Sequence, residues 1–367
     1  MKRTILFALL FSLTFIFHSA NAQTNKRDSV LNEKRVDFAF IPIVSYNRSF
    51  GAQIGFMANA YFKINKEDNI SPPSMIGTMG TYFYNKTYFA GVFNKNYFAD
   101  NKWRSMSALF IGNINFQTYL EIPDYVGDFL QIDDDIITLD YNTKFQMVYL
   151  NLMREIVPHF YGGAQIVFSH SKTEFSSVII PTQNDNLFGF GLTSEFDNRD
   201  NVMNPHNGMN IKLRSFSFLE SLGSTSEYHK ILFEMNKYFE LNKHSVLLAR
   251  ANAVSSFGDV PFSGQNVIGR DDLRGYSKGE HRGNQSYNIQ SEYRWNFYKN
   301  WGMVAFGGLA MAIDDFQGKN FSGILPAAGV GIRYMAIKSH KINIGIDVAK
   351  GINDWGLYFR VGEAFAR

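Results

Sequence analysis

Cysteine is absent from the 367 residues. That excludes disulfides and an N-terminal lipid anchor on cysteine, although an exported chain could use both. Long apolar runs are also missing. After the first 22 residues no stretch approaches the 18 or so apolar residues that a membrane helix needs, and no convincing amphipathic helix appears. Charge of one sign is scarce as well. The formal charge is +3, and it falls to +1 once Lys2 and Arg3 are set aside. No basic field suited to nucleic acid exists. What the chain does have is aromatic residues, at 16%.

The first residues read as an export signal. Lys2 and Arg3 precede an apolar run from Ile5 to Phe17, and Ala20-Asn21-Ala22 forms an A-x-A cleavage site. The run is short for an uncleaved anchor, the alternative reading. The expected organisation is a signal peptide over 1–22, a short periplasmic segment over 23–36, and a barrel over 37–367.

Alternation with period two dominates the rest, as in a strand with two unlike faces. Tyr287, Ile289, Ser291, Tyr293, Trp295 and Phe297 share one face, while Asn288, Gln290, Glu292, Arg294 and Asn296 share the other. Ile342, Ile344, Ile346 and Val348 oppose Asn343, Gly345 and Asp347. Val330, Ile332 and Tyr334 oppose Arg333. Trp355, Leu357, Phe359, Val361 and Phe365 oppose Gly356, Tyr358, Arg360 and Gly362. Burying Arg294, Arg333 or Arg360 in lipid would cost about 2–4 kcal/mol each at the midplane, so these faces look into a polar lumen. The segments are longer than the 5–6 residues usual in soluble sheets and carry aromatics near their ends, where membrane girdles sit.

Sixteen strands are expected: 37–46, 50–62, 74–84, 87–97, 103–114, 137–154, 158–174, 186–197, 208–220, 225–240, 244–258, 284–298, 301–314, 323–336, 341–350 and 354–365. The fold class is therefore all-β, a transmembrane antiparallel barrel. With both termini in the periplasm, the long connections 115–136, 175–185 and 259–283 fall outside the cell and most short turns inside, as in outer-membrane barrels. In lipid, an open strand edge leaves peptide groups unsatisfied, so the first and last strands must meet or be covered. Pro42 in the first strand cannot donate to a ladder, and Gly356 and Gly362 weaken or bend the last. Barrel kinks, or a deliberately weak seam, both fit.

The connection 259–283 holds Gly269-Arg270-Asp271-Asp272-Leu273-Arg274-Gly275-Tyr276, followed by Gly279, Gly283 and Glu292-Tyr293-Arg294. This resembles the conserved sixth-loop motif of BamA/TamA-type barrels, the bacterial surface antigen family. Three further stretches add to it. Phe196-Asp197-Asn198-Arg199-Asp200-Asn201, with Asn204-Pro205 and Gly208, is similar to the family's periplasmic turn. Gly329-Val330-Gly331-Ile332-Arg333-Tyr334 is similar to its Gly-x-Gly-x-Arg strand. Tyr358, Phe359 and Phe365 resemble its C-terminal aromatic signal. The resemblance implies that the loop folds into the lumen and that Arg274 meets an acid on the inner wall. From the residues alone, a desolvated arginine needs a partner. Glu292 is the first choice, and Asp347 also points inward. Gly275 would let the backbone approach the wall, and Tyr276 would wedge against it.

There are two departures from the family pattern. Val304-Ala305-Phe306-Gly307-Gly308 carries glycine where the family's Phe-x-Asp-x-Gly strand has an acid. The segment 23–36 is too short for the family's periplasmic POTRA domains.

Nothing points to an enzyme. No G-x-S-x-G occurs, the histidines lack metal-ligand spacing, and Asp133-Asp134-Asp135 lacks calcium-loop spacing. No cofactor is expected. The resemblance implies a component that inserts, folds or exports proteins in the outer membrane. Its partners would be membrane lipid and other outer-membrane or periplasmic proteins that capture substrate. A plugged structural subunit and a passive solute channel remain as alternatives.

Overall fold

The alternating segments pair into one antiparallel wall in the computed structural model, which describes residues 36–47, 50–121, 136–177, 180–269, 272–276, 281–313, 323–337, 341–352 and 354–365. The proposed signal peptide, Asp133–Asp135, Arg270, Asp271 and Gly279 lie outside the described residues. The strands are β1 (Val36–Asn47), β2 (Gly51–Phe62), β3 (Ser74–Phe83), β4 (Tyr88–Phe98), β5 (Trp103–Glu121), β6 (Ile136–Val157), β7 (Phe160–Phe175), β8 (Gln183–Asp197) and β9 (Gly208–Phe218). They continue with β10 (Tyr228–Asn242), β11 (Ser245–Gly258), β12 (Asn266–Ile268), β13 (His281–Gly283), β14 (Gln285–Tyr298), β15 (Trp301–Ile313), β16 (Leu325–Ile337), β17 (Ile342–Lys350) and β18 (Trp355–Val361). Sixteen of them close a barrel in sequence order, with β11 beside β14 and β18 beside β1. The short β12 and β13 form a separate ribbon within the loop 259–283.

The two faces of each strand explain the closure. Phe38, Phe40, Ile54, Leu192, Ile289, Val330, Ile346 and Val348 are exposed on the outside, where lipid is the solvent. Arg294, Arg333, Arg360, Glu292 and Asp347 are buried inside. Aromatics fill part of the upper lumen. Phe50, Phe83, Phe116, Tyr141 and Phe262 form one cluster, with Phe89, Ile114 and Phe175 against it.

Two boundaries differ from expectation for physical reasons. β5 runs to Glu121, and its residues 115–121, expected as loop, pair with β6, which starts at Ile136. About 9–11 tilted residues cross a bilayer, and β5 and β6 have 19 and 22. Above the membrane the outward face turns polar, as with Gln117 bonded to Asp140 and Asn142 to Asn113. Apolar alternation stops there although backbone pairing continues. The last strand ends at Val361, not 365. Gly362 follows at a φ of 75°, a left-handed turn that sends the tail inward. Phe365 therefore lies inside the barrel and not on the lipid face.

Candidate functional site

Loop 259–283 crosses the lumen between the β11/β14 wall and the walls on either side. Leu273, Tyr276 and Ile268 pack with Ala310, Ala312, Leu325 and Ala327. Gly275 has a φ of 114°, and a Cβ there would lie 2.9 Å from the backbone of Lys350 and Gly351. Only glycine fits. The Gly275 N–H donates to the Tyr358 hydroxyl at 3.1 Å. The Tyr276 hydroxyl donates to Pro326 O at 2.8 Å and accepts from the Ile352 N–H at 3.2 Å. On the far side, Arg282 stacks 3.6 Å above the Phe262 ring and donates to the Tyr141 hydroxyl.

Arg274 is 1% exposed. Its guanidinium donates to Glu292 at 2.6 Å and to Asp347 at 2.8 Å, and lies 3.3 Å from the centre of the Phe306 ring. Asp347 also receives Arg333 at 2.5 Å and Arg360 at 2.7 Å, while Glu292 receives Arg294 at 2.8 Å. The acid of the family's Phe-x-Asp-x-Gly pattern falls at Gly308 on β15 here. A Cβ at that position would come 3.0 Å from Leu273 Cδ1, 2.5 Å from Ile289 O and 2.6 Å from Gln290 Cγ. Glycine at 308 makes room for the loop, and the second carboxylate comes from β17.

The tail completes this network. Glu363 pairs with Arg333 at 3.3 Å and Arg294 at 3.6 Å and accepts from Asn343 at 2.6 Å. Ala364 O accepts from Arg294, and Phe365 O accepts from the Tyr238 hydroxyl, both at 2.8 Å. The Phe365 ring lies 4.5 Å from the Arg250 guanidinium. Four arginines and three acids thus share one desolvated cluster, bringing Arg274, Glu292, Arg294, Arg333 and Asp347 together.

Among the described residues β1 meets β18 in two residue pairs, Tyr46 with Leu357 and Asn47 with Gly356. Both lie at the extracellular end. Extending the register would set Phe359 opposite Val44 and Phe365 opposite Phe38, but β18 stays with β17 instead, pairing Val361 with Ile344. In the periplasmic half the seam is packed by side chains. Ala39 and Ile41 contact Ile342, with Phe359 and Met203 against them.

The missing donor of Pro42 can be placed. Ala52 O and Ile54 O accept from Tyr84 and Thr81, both on the β3 side, so the even residues of β2 turn their peptide groups away from β1. Pro42 sits opposite Phe56 in an unbroken register. In an antiparallel ladder such a pair exchanges no bonds, and both residues point outward from each other. The absent N–H of Pro42 therefore falls on the open edge, facing β18.

A second buried charge cluster joins Asp197 and Arg199 of the turn motif to Arg104 and Glu195, which were not singled out from the sequence. Arg104 pairs with Glu195 and Asp197 at 3.2 Å each and stacks 3.7 Å from Tyr161. Arg199 grips Asp197 with two bonds, at 2.7 and 2.9 Å. Inward parity on β5 and β8 carries the signal for Arg104, Glu195 and Asp197, but their distance in sequence, 91 residues or more, hides the pairing. In the turn after β8, Asn201 Oδ1 accepts from the N–H groups of Met203 and Asn204, and Asp200 Oδ1 from those of His206 and Asn207. Through Met203 this turn reaches the inner face of β1.

The whole arrangement is a barrel plugged from above, braced by ion pairs and weakly zipped along one edge. Solved structures of similar shape include CdiB from Escherichia coli, with a TM-score of 0.61 at 12% identity over 93% of this chain and 66% of that one. BamA from Haemophilus ducreyi lacking POTRA domains 1–3 gives 0.59 at 13%, over 90% and 70%. CdiB from Acinetobacter baumannii gives 0.58 at 11%, over 90% and 60%. The chain thus spans 60–70% of the length of these proteins. No curated protein sequence matches it. The Omp85 superfamily domain, however, matches residues 74–365, most of the barrel and all of the loop, network and tail described above, and the chain belongs to that superfamily of outer-membrane barrels.

Proposed function

We propose that this barrel inserts, folds or exports other proteins at the outer membrane, and that the β1–β18 seam is where it handles them. One observation carries the reading: among the described residues, the β1–β18 ladder holds the pairs Tyr46–Leu357 and Asn47–Gly356 and does not run on along the rest of β1. Each unsatisfied peptide group in lipid costs several kcal/mol, so this edge favours pairing with an incoming strand. Pro42 removes one donor from the middle of that edge, which weakens any such pairing and favours release. Phe38, Phe40 and Val44 already face lipid there. Substrate capture is assigned to a partner protein, because the described chain is barrel wall, turns and plug. Residues 1–22 are assigned to export and 23–36 to the periplasm.

A double lock tests the reading. Tyr46→Cys with Leu357→Cys would secure the existing pairs. Val44→Cys with Phe359→Cys would secure the next pair in register. Oxidising both should abolish the barrel's contribution to outer-membrane protein assembly, and reduction should restore it. Unchanged assembly and growth with both bonds formed would refute lateral opening. That result would favour a structural subunit, a reading supported by the dense ion-pair plug. A passive channel predicts steady conductance in planar bilayers, whereas the plug predicts almost none.

A further inference from the structure

The lipid-facing wall of β4 and β5 carries a polar patch in the wrong solvent. On β4, Phe89, Lys95 and Tyr97 face inward: Phe89 packs against the lumen cluster, Lys95 lies over the Tyr97 ring, and Tyr97 lies beside Arg104. Alternation therefore turns Tyr88, Ala90, Val92, Asn94, Asn96 and Phe98 outward. Tyr88 marks the upper girdle. Phe98, stacked on Trp103 with Arg154 above that ring, marks the lower one. Ten residue steps separate Tyr88 from Phe98. At about 3.3 Å per step and a tilt of about 40°, they span about 25 Å, the height of the apolar band of such barrels. Asn94, four steps above Phe98, lies near the middle of that band. Across the ladder, Asn94 sits beside Ser107 and Asn96 beside Ser105.

Hydroxyls elsewhere on this surface are satisfied at home. Thr78 donates to Gly91 O, Ser215 to Leu192 O and Ser291 to Leu248 O. A carboxamide has two donors and an acceptor and cannot do the same. Asn96 Nδ2 donates to Asn94 Oδ1 and Ser105 Oγ, both at 3.2 Å. Asn94 Nδ2, Asn96 Oδ1 and Ser107 Oγ have no partner among the described residues, and each residue is half-exposed. Acyl chains offer them nothing.

We propose that this patch is the contact face of a homodimer in the membrane, with a second copy of the chain as its occupant. A primary amide is its own complement, both donor and acceptor. Two copies inserted in the same direction are related by a two-fold axis along the membrane normal, which keeps heights equal. Asn94 then meets Asn94 of the second copy, and each free Nδ2 donates to the second lone pair of the other's Oδ1. Ala90, Ser105 and Ser107 are small and let the two walls approach, as small residues do between membrane helices. A different partner would have to present amides at the same depth, whereas a second copy does so by construction. The contact is independent of whether the β1–β18 seam opens.

The chain's lack of cysteine makes the test clean. Ser105→Cys and Ser107→Cys are introduced singly into the full chain and oxidised in intact outer membranes. The expected result is a disulfide-linked species of twice the chain's mass. Leu213→Cys, lipid-facing on β9, should stay monomeric under the same treatment. Adding Asn94→Leu and Asn96→Leu to Ser107→Cys should cut dimer yield at least tenfold, while the heat-modifiable gel mobility of a folded barrel persists. Single-molecule bleaching of labelled chains in bilayers should show two steps, reduced to one by the leucine pair. A folded Ser107→Cys barrel that stays monomeric, or links only to a different polypeptide, overturns the proposal.

Discussion

Removing Arg274 and removing Asp347 should have opposite emphasis, because the cluster holds four arginines and three acids. Arg274→Ala takes away the 2.6 and 2.8 Å bonds to Glu292 and Asp347 and the stack on Phe306. Charge-assisted bonds contribute about 1.5–3 kcal/mol each. Part of the loss is offset, since Glu292 keeps Arg294 and Asp347 keeps Arg333 and Arg360. The remaining set balances at three and three. A net loss of about 3 kcal/mol in loop docking raises the undocked population about 150-fold, with little effect on the wall. Asp347→Ala instead leaves four cations facing two acids. Arg360 then has no acid within ion-pair distance among the described residues, and Arg274 and Arg333 each lose one. Uncompensated buried charge costs about 3–5 kcal/mol, here borne by β16, β17 and β18 themselves. Two assays separate the effects: protease cleavage within 260–283 on the folded barrel, and the urea midpoint of barrel unfolding in lipid. Arg274→Ala should accelerate cleavage and barely move the midpoint, while Asp347→Ala should lower the midpoint clearly. An unchanged digest for Arg274→Ala, or a greater midpoint loss for it than for Asp347→Ala, would refute the reasoning.

Gly275→Ala should undock the loop much as Arg274→Ala does, because a methyl group at a φ of 114° meets the Lys350–Gly351 backbone at 2.9 Å; the same protease assay reads it. Glu363→Gln should loosen the tail from Arg333 and Arg294, letting it move toward β1. Disulfide yield between Val44→Cys and Phe359→Cys should then rise severalfold over the same pair in the parent. In the periplasmic turn 63–73, the carboxylate of Asp68 accepts N–H bonds from Ser71 at 2.7 Å, Ile70 at 3.0 Å and Asp100 at 3.1 Å. Bonding to Ser71 holds its pKa down at about 2, against an ordinary 3.8. A depressed carboxylate pKa means the stabilisation is complete above 3.8 and lost as pH falls through about 2. Proteolysis of this turn with an acid-stable protease should therefore be unchanged between pH 7 and 4.5 and rise below pH 3; Asp68→Asn should show the higher rate already at pH 7.

The wall of this protein was legible in its residues because one physical rule repeats along it. Lipid outside and a wet interior inside force period two, so strand number, order and the inward aim of Glu292, Arg294, Arg333 and Asp347 could be read from alternation alone. That rule is silent where the outer solvent changes, and β5 therefore continues to Glu121, about seven residues beyond its expected end at 114 and past the apolar band. It is silent too on pairing across distance. Gly308 making room for Leu273, Asp347 gathering three arginines, and Arg104 reaching Glu195 depend on strands far apart in sequence. The tail is the clearest case. Tyr358, Phe359 and Phe365 read as one continuing strand, but Gly362 turns the chain, and the ion pairs of Glu363 hold it inside. Which edge loses the Pro42 donor follows from hydrogen-bond parity set by β2 and β3, a property of the ladder that no single strand contains.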